Sequence, residues 1–429
     1  MKNILIAIRS IFKKGRHNVM KIVSLGIGLA VGLVLIAKVY FEQSYDDFYP
    51  DRDRVYQVWA KYQQNGGELK DYPQTSGGIA PTMQQQIPEI ETVTRYTSFG
   101  DWTFTMTDTK MKYSGRCIIA DSCFFDILPR PMLIGNAKEV LSTPMYVLIS
   151  SRIAKNIGGD VIGKNFTVDN SPGRTMTIGG VFEEVPENSH SRYDVIVSMA
   201  SAGRFMWEGS PTNMLGNDRY ISYVKLHKGV NPLALEEQVR TFVNSYFPPE
   251  EQQKVGLSID FSFHKLDNLH KELPQVKRMT WILSLLAFAL IFTAVMNYIL
   301  IVISSIVNRS KEVAVHKCYG ASENNIHGMM FGEALVHIVL SLILALLLIL
   351  AFRGTVEELL ATSLDSLLLS NGSLVLLGIC ILVFSYLVLC RDHYTPGFRW
   401  PPLSVITGRI SVSGRKPCCL SSLLLRAFW

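Results

Sequence analysis

Four apolar runs long enough to cross a bilayer dominate this chain, at residues 22–41, 280–307, 334–352 and 374–390. A helix rises about 1.5 Å per residue, so roughly 20 residues match a hydrocarbon core of about 30 Å. The fourth run sits near the lower limit of that length. Between the first and second runs lie residues 42–279, enough for a water-facing domain, and no other gap holds one. The fold expected is an α-helical membrane protein with four transmembrane helices plus a large extracytoplasmic α+β domain between spans one and two.

Charge orients the spans. The leader, 1–21, carries Lys2, Arg9, Lys13, Lys14, Arg16 and Lys21 without an acid. Loops rich in Lys and Arg stay in the cytoplasm, so the N-terminus is inside and 42–279 is exported. The chain returns at Arg309 and Lys311, which opens a cytoplasmic segment, 308–333. The short external loop, 353–373, carries Glu357, Glu358 and Asp365 against Arg353. The tail, 391–429, is basic again. Every segment agrees on a multi-pass membrane protein with both termini cytoplasmic. Run one has no small-residue cleavage site after it, so it reads as an uncleaved span rather than a signal peptide. Lys38, near its outer end, is expected to snorkel to the headgroups.

The net charge of +6 over 429 residues comes mostly from leader and tail, and so gives no case for a nucleic-acid partner. Within the exported segment, 54–62 alternates as a strand, and Ile79, Met83 and Ile87 recur at helical spacing before Pro88. The stretches 91–104, 110–120, 174–182, 193–199, 220–226 and 258–264 read as further strands. A helix follows the cap Asn231, with Leu235, Val239, Phe242 and Tyr246 as its buried stripe. Interleaving without a βαβ repeat gives α+β, divided into two lobes near 199–219, where Gly, Ser and Asn cluster. Cys117 and Cys123 share this domain; two buried thiols are favoured over a disulfide, since spacing alone fixes no bridge.

Chemistry-bearing motifs are few. Residues 158–164 match the phosphate-loop spacing from Gly158 to Gly163-Lys164, but Asn165 replaces the final Ser or Thr. A phosphate loop needs a strand before it and a helix after it; here the order reads as the reverse. Gly158 and Gly163 are better explained as a helix stop and a turn. His190 and Asp194 lie near serines without a nucleophile elbow, and no histidines pair at metal-ligand spacing. No catalytic residue, metal or cofactor is expected. Asn297, polar inside span two, is assigned to interhelical packing.

Arg309, Lys311, Glu312, Lys317, Gly320, Ala321 and Ser322, followed by Glu333, resemble the stretch after span two in permeases of the MacB-like and FtsX-like family. The exported segment agrees with that family's periplasmic core domain in order. It has Phe124-Phe125-Asp126, then Ser150 to Lys155, then Gly163-Lys164, then Gly180-Val181 through Pro186 to His190. The resemblance implies the permease subunit of a type VII ABC transporter, not itself an enzyme. A separate cytoplasmic ABC ATPase subunit would drive it by mechanotransmission. It implies a homodimer or pairing with a related permease, and admits a periplasmic adaptor and an outer-membrane channel. The cargo implied is a peptide, drug or lipid-linked molecule, as in antimicrobial efflux. A division-type regulator of a cell-wall hydrolase and a lipoprotein-release subunit are the alternatives. The eight residues named first are assigned to ATPase coupling. The chain past 390 departs from the family pattern, with Cys418-Cys419 and no fifth span. It reads as the first half of an eight-span permease with a frame-shifted tail, or as a natural four-span subunit.

Overall fold

A computed structural model describes residues 18–169, 171–319 and 323–368, without the side chains of most residues in 302–334. The fourth apolar run, the tail and most of the leader lie outside the described residues.

Helix α1, Asn18–Gln43, contains the first run. Leu25, Leu29, Leu33, Ala37 and Phe41 recur every four residues and are buried, while Val19, Val23, Ile27 and Val31 are exposed. That is one packed face and one face left for lipid. The chain then builds the domain. Its elements are β1 Val55–Gln64, β2 Lys70–Tyr72, α2 Ile79–Gln86, β3 Ile90–Met106, β4 Lys112–Ala120, α3 Phe124–Ile127, β5 Met132–Ile134, α4 Ala137–Ser142, β6 Tyr146–Ser150 and α5 Ser151–Ile157. There follow β7 Asn165–Val168, β8 Ser171–Phe182, β9 Val195–Ser198, β10 Ile221–Leu226, α6 Glu236–Tyr246, α7 Pro249–Val255 and β11 Leu257–Lys265.

All eleven strands form one sheet, in the order β11-β1-β10-β3-β4-β9-β6-β8-β5, with β2 on β1 and β7 bridging β3 and β8. The pairs β4–β9 and β6–β8 are parallel, the rest antiparallel. Neighbouring residues of one strand point to opposite faces. Leu148 and Ile196 therefore join a cluster with Tyr96, Phe124, Phe182 and Tyr223. Val147, Ile149, Val195 and Val197 enter the opposite cluster, with Phe104 and Phe166. Helices α2 and α6 cover a third cluster over β1, β3 and β10, burying Met83, Ile87, Val239 and Phe242.

Two readings of this domain need correction, and a third, the phosphate-loop look-alike, holds. The stretch 199–219 does not divide it: β10, which follows, inserts between β1 and β3, so the halves share one sheet. The stripe of α6 turns inward at Val243, and Tyr246 is exposed, its hydroxyl accepting from Gln86. The phosphate-loop look-alike lies between α5 and β7, a helix before and a strand after, with Gly158, Gly159 and Gly163 at φ +76°, +64° and +76°.

The second run lies within α8, Pro274–Cys318, a single helix of 45 residues. No Gly or Pro occurs between Pro274 and Gly320. Nothing local therefore stops the helix at the bilayer surface, and Pro274 occupies the helix start that proline favours. It replaces the shorter span and separate coupling element expected from the sequence. At about 1.5 Å per residue it is roughly 68 Å long, twice a hydrocarbon core. Helix α9, Glu323–Ala351, comes next and contains nearly all of the third run. The chain bends by 71° after Ala351 into α10, Arg353–Leu360, and then α11, Leu364–Leu368. The expected external loop is thus largely helical as far as 368. Arg353 pairs with Glu357 one turn on at 2.9 Å and with Asp365 at 3.0 Å, and Leu364 and Leu367 are buried beside α1. Among the described residues two helices, Asn18–Gln43 and the 274–301 part of α8, are long and apolar enough to cross a membrane, and residues 335–351 of α9 with α10 make a third if the bent pair is one span.

Candidate functional site at the junction of helices and domain

Helix α1 is the common partner of α8 and α9. Its glycines set the approach. A Cβ on Gly28 would lie 2.3 Å from the Ala294 Cβ, and one on Gly32 would lie 2.5 Å from Ile291 Cγ1. On Gly26 it would meet Leu344 of α9 at 2.9 Å. Gly28-x-x-x-Gly32 is the small-residue spacing that lets helix backbones touch where lipid offers no hydrophobic drive between them. That spacing stands in the sequence, but which helix it admits is set by the fold. Asn297 does bridge helices: its Nδ2 donates to Ser24 Oγ at 2.8 Å. Ser341 Oγ donates to the Ile22 carbonyl at 3.1 Å, tying α9 to the same turn.

At the domain end of α1 the chemistry becomes ionic. Lys38 does not snorkel. Its Nζ lies 2.7 Å from Glu42 Oε1, one turn on, and donates to Thr362 Oγ1 at 2.7 Å. Glu42 Oε2 meets His270 Nε2, ahead of α8, at 2.6 Å, and the His270 ring stacks on Tyr45 at 3.4 Å. Lys38 and Glu42 are 7 % and 4 % exposed. A buried ammonium without a partner costs several kcal/mol, so the carboxylate one turn away wins over the more distant headgroups. Lys38→Met alone is expected to destabilise the chain by about 3 kcal/mol, because it strips Glu42 of its cation. Lys38→Met with Glu42→Gln should recover at least half of that loss. A double-mutant cycle on thermal unfolding in detergent measures both, and equal effects of single and double variants would rule the pair out.

Beyond Gln43 the chain meets the loop after β8. Asp46 is fully buried at φ +60°, and its N–H donates to the Asn188 carbonyl at 2.9 Å. Ser189 Oγ donates to Asp46 Oδ1 at 3.1 Å, and His190 Nδ1 faces Asp46 Oδ2 at 2.7 Å. His190 Nε2 lies 2.5 Å from the Tyr223 hydroxyl in the sheet. Burial raises the Tyr223 phenol well above its ordinary range, so it keeps its proton and donates to Nε2. With Nε2 facing that hydroxyl, Nδ1 is assigned as the nitrogen that donates to Asp46. The residues resemble a Ser-His-Asp set, but Ser189 and His190 both bind the carboxylate and no hydroxyl is activated. Asp194 is elsewhere, held by Arg152 Nη2 at 2.6 Å. Asn188 Nδ2 donates to the Ser44 carbonyl at 2.7 Å. Glu187 Oε2 accepts from Ser363 N–H and Oγ, both at 3.1 Å, and from Ser366 Oγ at 3.0 Å. These long-range pairings had no signal in the sequence beyond the motif around His190.

Arg309, Lys311, Glu312 and Lys317 fall in the α8 end and Glu333 in α9, with side chains outside the described residues; Gly320, Ala321 and Ser322 lie wholly outside them. Val315 and Tyr319 nearby are exposed. Among the described residues no three His, Cys, Asp or Glu side chains gather as a metal site. Cys117 and Cys123 are free thiols, both raised in pKa by burial.

Residues 284–391 match the model of the FtsX-like permease C-terminal family. Among solved structures, a domain from Porphyromonas gingivalis whose parent is named a permease is 33 % identical, with a TM-score of 0.47. The match covers 51 % of this chain and 91 % of that one. The periplasmic region of MacB from Actinobacillus actinomycetemcomitans is 16 % identical over 48 % of this chain and 87 % of that one, with a TM-score of 0.31. The extracellular domain of the noncanonic ABC-type transporter YknZ from Gram-positive bacteria is 10 % identical over 49 % of this chain and 98 % of that one, at 0.33. No curated protein matches the chain. With the permease model matching residues 284–391, the chain belongs to the FtsX-like permease family.

Proposed function

We propose that this permease is a mechanotransmission subunit with four spans, N- and C-termini in the cytoplasm and the sheet domain outside. A separate cytoplasmic ABC ATPase supplies the motion, and export of a peptide, drug or lipid-linked cargo uses it. The single observation behind this reading is α8. One unbroken helix leads from the domain, through span two, to the basic stretch assigned to the ATPase. A helix transmits displacement along its length because every turn is hydrogen-bonded to the next, and a flexible loop would absorb it. The polar junction at Lys38, Glu42 and His270 supports the same reading, since it ties α1 to the segment that enters α8. The subunit's copy number, an adaptor and an outer channel belong to the proposal as partners.

The ATPase contact is assigned to Arg309, Lys311, Glu312, Lys317, Gly320, Ala321, Ser322 and Glu333. Glu312→Lys reverses a charge there, and Gly320→Val puts a β-branched residue where the sequence motif carries a conformationally free glycine. Both variants are expected to insert normally yet to lose at least ten-fold in ATPase co-purification from native membranes. Normal recovery of the ATPase with both variants would remove this stretch from the coupling interface.

A further inference from the structure

Two covalent routes join the helices to the domain: α1 runs on into β1, and β11 leads into α8. Helix α9 has no such route among the described residues. Its domain-side extension, α10 and α11, reaches the sheet through side chains instead. The contact is Glu187, whose one carboxylate oxygen lies within hydrogen-bond reach of three donors on Ser363 and Ser366, at the start of α11. The next three residues of the same loop turn to α1. Asn188 holds the Ser44 carbonyl and receives the Asp46 N–H, and Ser189 and His190 hold the Asp46 carboxylate. His190 passes the contact to Tyr223 in β10, and Ser191 Oγ donates to the Tyr96 hydroxyl in β3 at 2.7 Å.

We infer that the loop Glu187–His190 is a clamp through which the domain-side ends of α1 and α9 move the sheet together, with Glu187 as the positioning residue for α9. The inference rests on the relay reading given above and deepens it. Four consecutive residues grip both helix ends, and they and Ser191 are anchored on β10 and β3, adjacent strands inside the sheet, so a displacement of α9 is passed on rather than dissipated in a loop. Thr362 adds to the arrangement: it receives the Lys38 ammonium, so α1 and the segment before α11 are also held to each other. The carboxylate serves as an acceptor and not as half of a salt bridge, because all three of its donors are neutral. Geometry at Oε2, more than charge, is therefore what the clamp needs.

The test uses the full chain with its co-purified ATPase in liposomes, in a background freed of reactive native cysteines. Spin-label pairs report two distances. The pair Glu358→Cys with Lys228→Cys reads α10 against the domain. The pair Val19→Cys with Lys228→Cys reads the far end of α1 against the domain. In the wild-type clamp the first distribution is expected to be narrow with or without nucleotide, and the second to shift with Mg-ATP and vanadate. Glu187→Ala, and separately Ser363→Ala with Ser366→Ala, should broaden the first at least two-fold. Both should cut the nucleotide-dependent shift of the second by more than half, with ATP hydrolysis retained. Glu187→Gln, which keeps an acceptor oxygen, should stay close to wild type. An unbroadened first distribution in Glu187→Ala overturns the clamp without reference to nucleotide. A full shift in variants that do broaden shows that the contact carries no motion, and also overturns it. If the unmodified clamp shows no nucleotide-dependent shift at all, the relay reading itself fails and the clamp's role falls with it.

Discussion

Gly28→Leu is expected to separate α1 from α8 and to leave the helices without their shared seam. A Cβ at this position already falls 2.3 Å from the Ala294 Cβ, far inside van der Waals contact, and leucine adds three more carbons. The neighbour is the methyl of a residue inside α8, with no flexible side chain to swing away. The helices must part, and Gly32 against Ile291 and Asn297 against Ser24 lie along the same line of contact. Overpacking of this kind costs about 1–3 kcal/mol, and the severed Asn297 bond adds about 0.6 more in a membrane. A loss near 3 kcal/mol is a factor of about 100 in the packed population. Ser24→Cys with Asn297→Cys reports it, because the parent side chains are in contact at 2.8 Å. Oxidative cross-linking should be high in the parent, nearly absent with Gly28→Leu and unaffected by Val31→Leu on the exposed face. Equal cross-linking in all three would refute the close seam.

Asp46→Ala is the second large effect. The carboxylate is fully buried and accepts from Ser189 Oγ and His190 Nδ1, and the His190 N–H lies 3.3 Å away. Its removal strands donors that water cannot reach, at about 1–3 kcal/mol for each group left unpaired. Backbone adds to this. Asp46 sits at φ +60°, where Asp and Asn are tolerated better than alanine by up to about 1 kcal/mol. The expected total is about 3–5 kcal/mol, which for a domain of this size lowers Tm by roughly 10 °C. Asp46→Asn keeps both an acceptor and the left-handed preference, so it should lose less than half as much. Thermal unfolding of the full chain in detergent, followed by tyrosine and tryptophan fluorescence, ranks the two. Indistinguishable melting of Asp46→Ala and the parent would mean that the His190 network contributes nothing to the domain.

Both sites were only partly legible beforehand. Gly28 and Gly32 stood in the sequence at a spacing with a known physical meaning, but spacing does not say which helix comes close. Asn297 was legible as a bonding residue because an amide inside an apolar run has few other fates. The position of Lys38 near a span end fits snorkelling, and only the fold reveals that Thr362 and His270 enclose its pair with Glu42. Asp46 was invisible, one acid among several after the first span. The coupling stretch rests on resemblance, and residues 320–322 at its centre lie outside the described residues.

The sequence by itself determined where the long helices and most strands lie. Those are decided by local quantities: the run of apolar residues against bilayer thickness, the absence of Gly and Pro between Pro274 and Gly320, and the two-residue alternation along 54–62. The tertiary structure alone decided that one sheet spans the domain, and that Glu187 meets Ser363 across 176 residues and His190 meets Asp46 across 144. Backbone periodicity repeats within a few residues and is written in every turn. The partner of a polar side chain depends on which distant segment excludes water from it, and that exclusion exists only once the chain has packed.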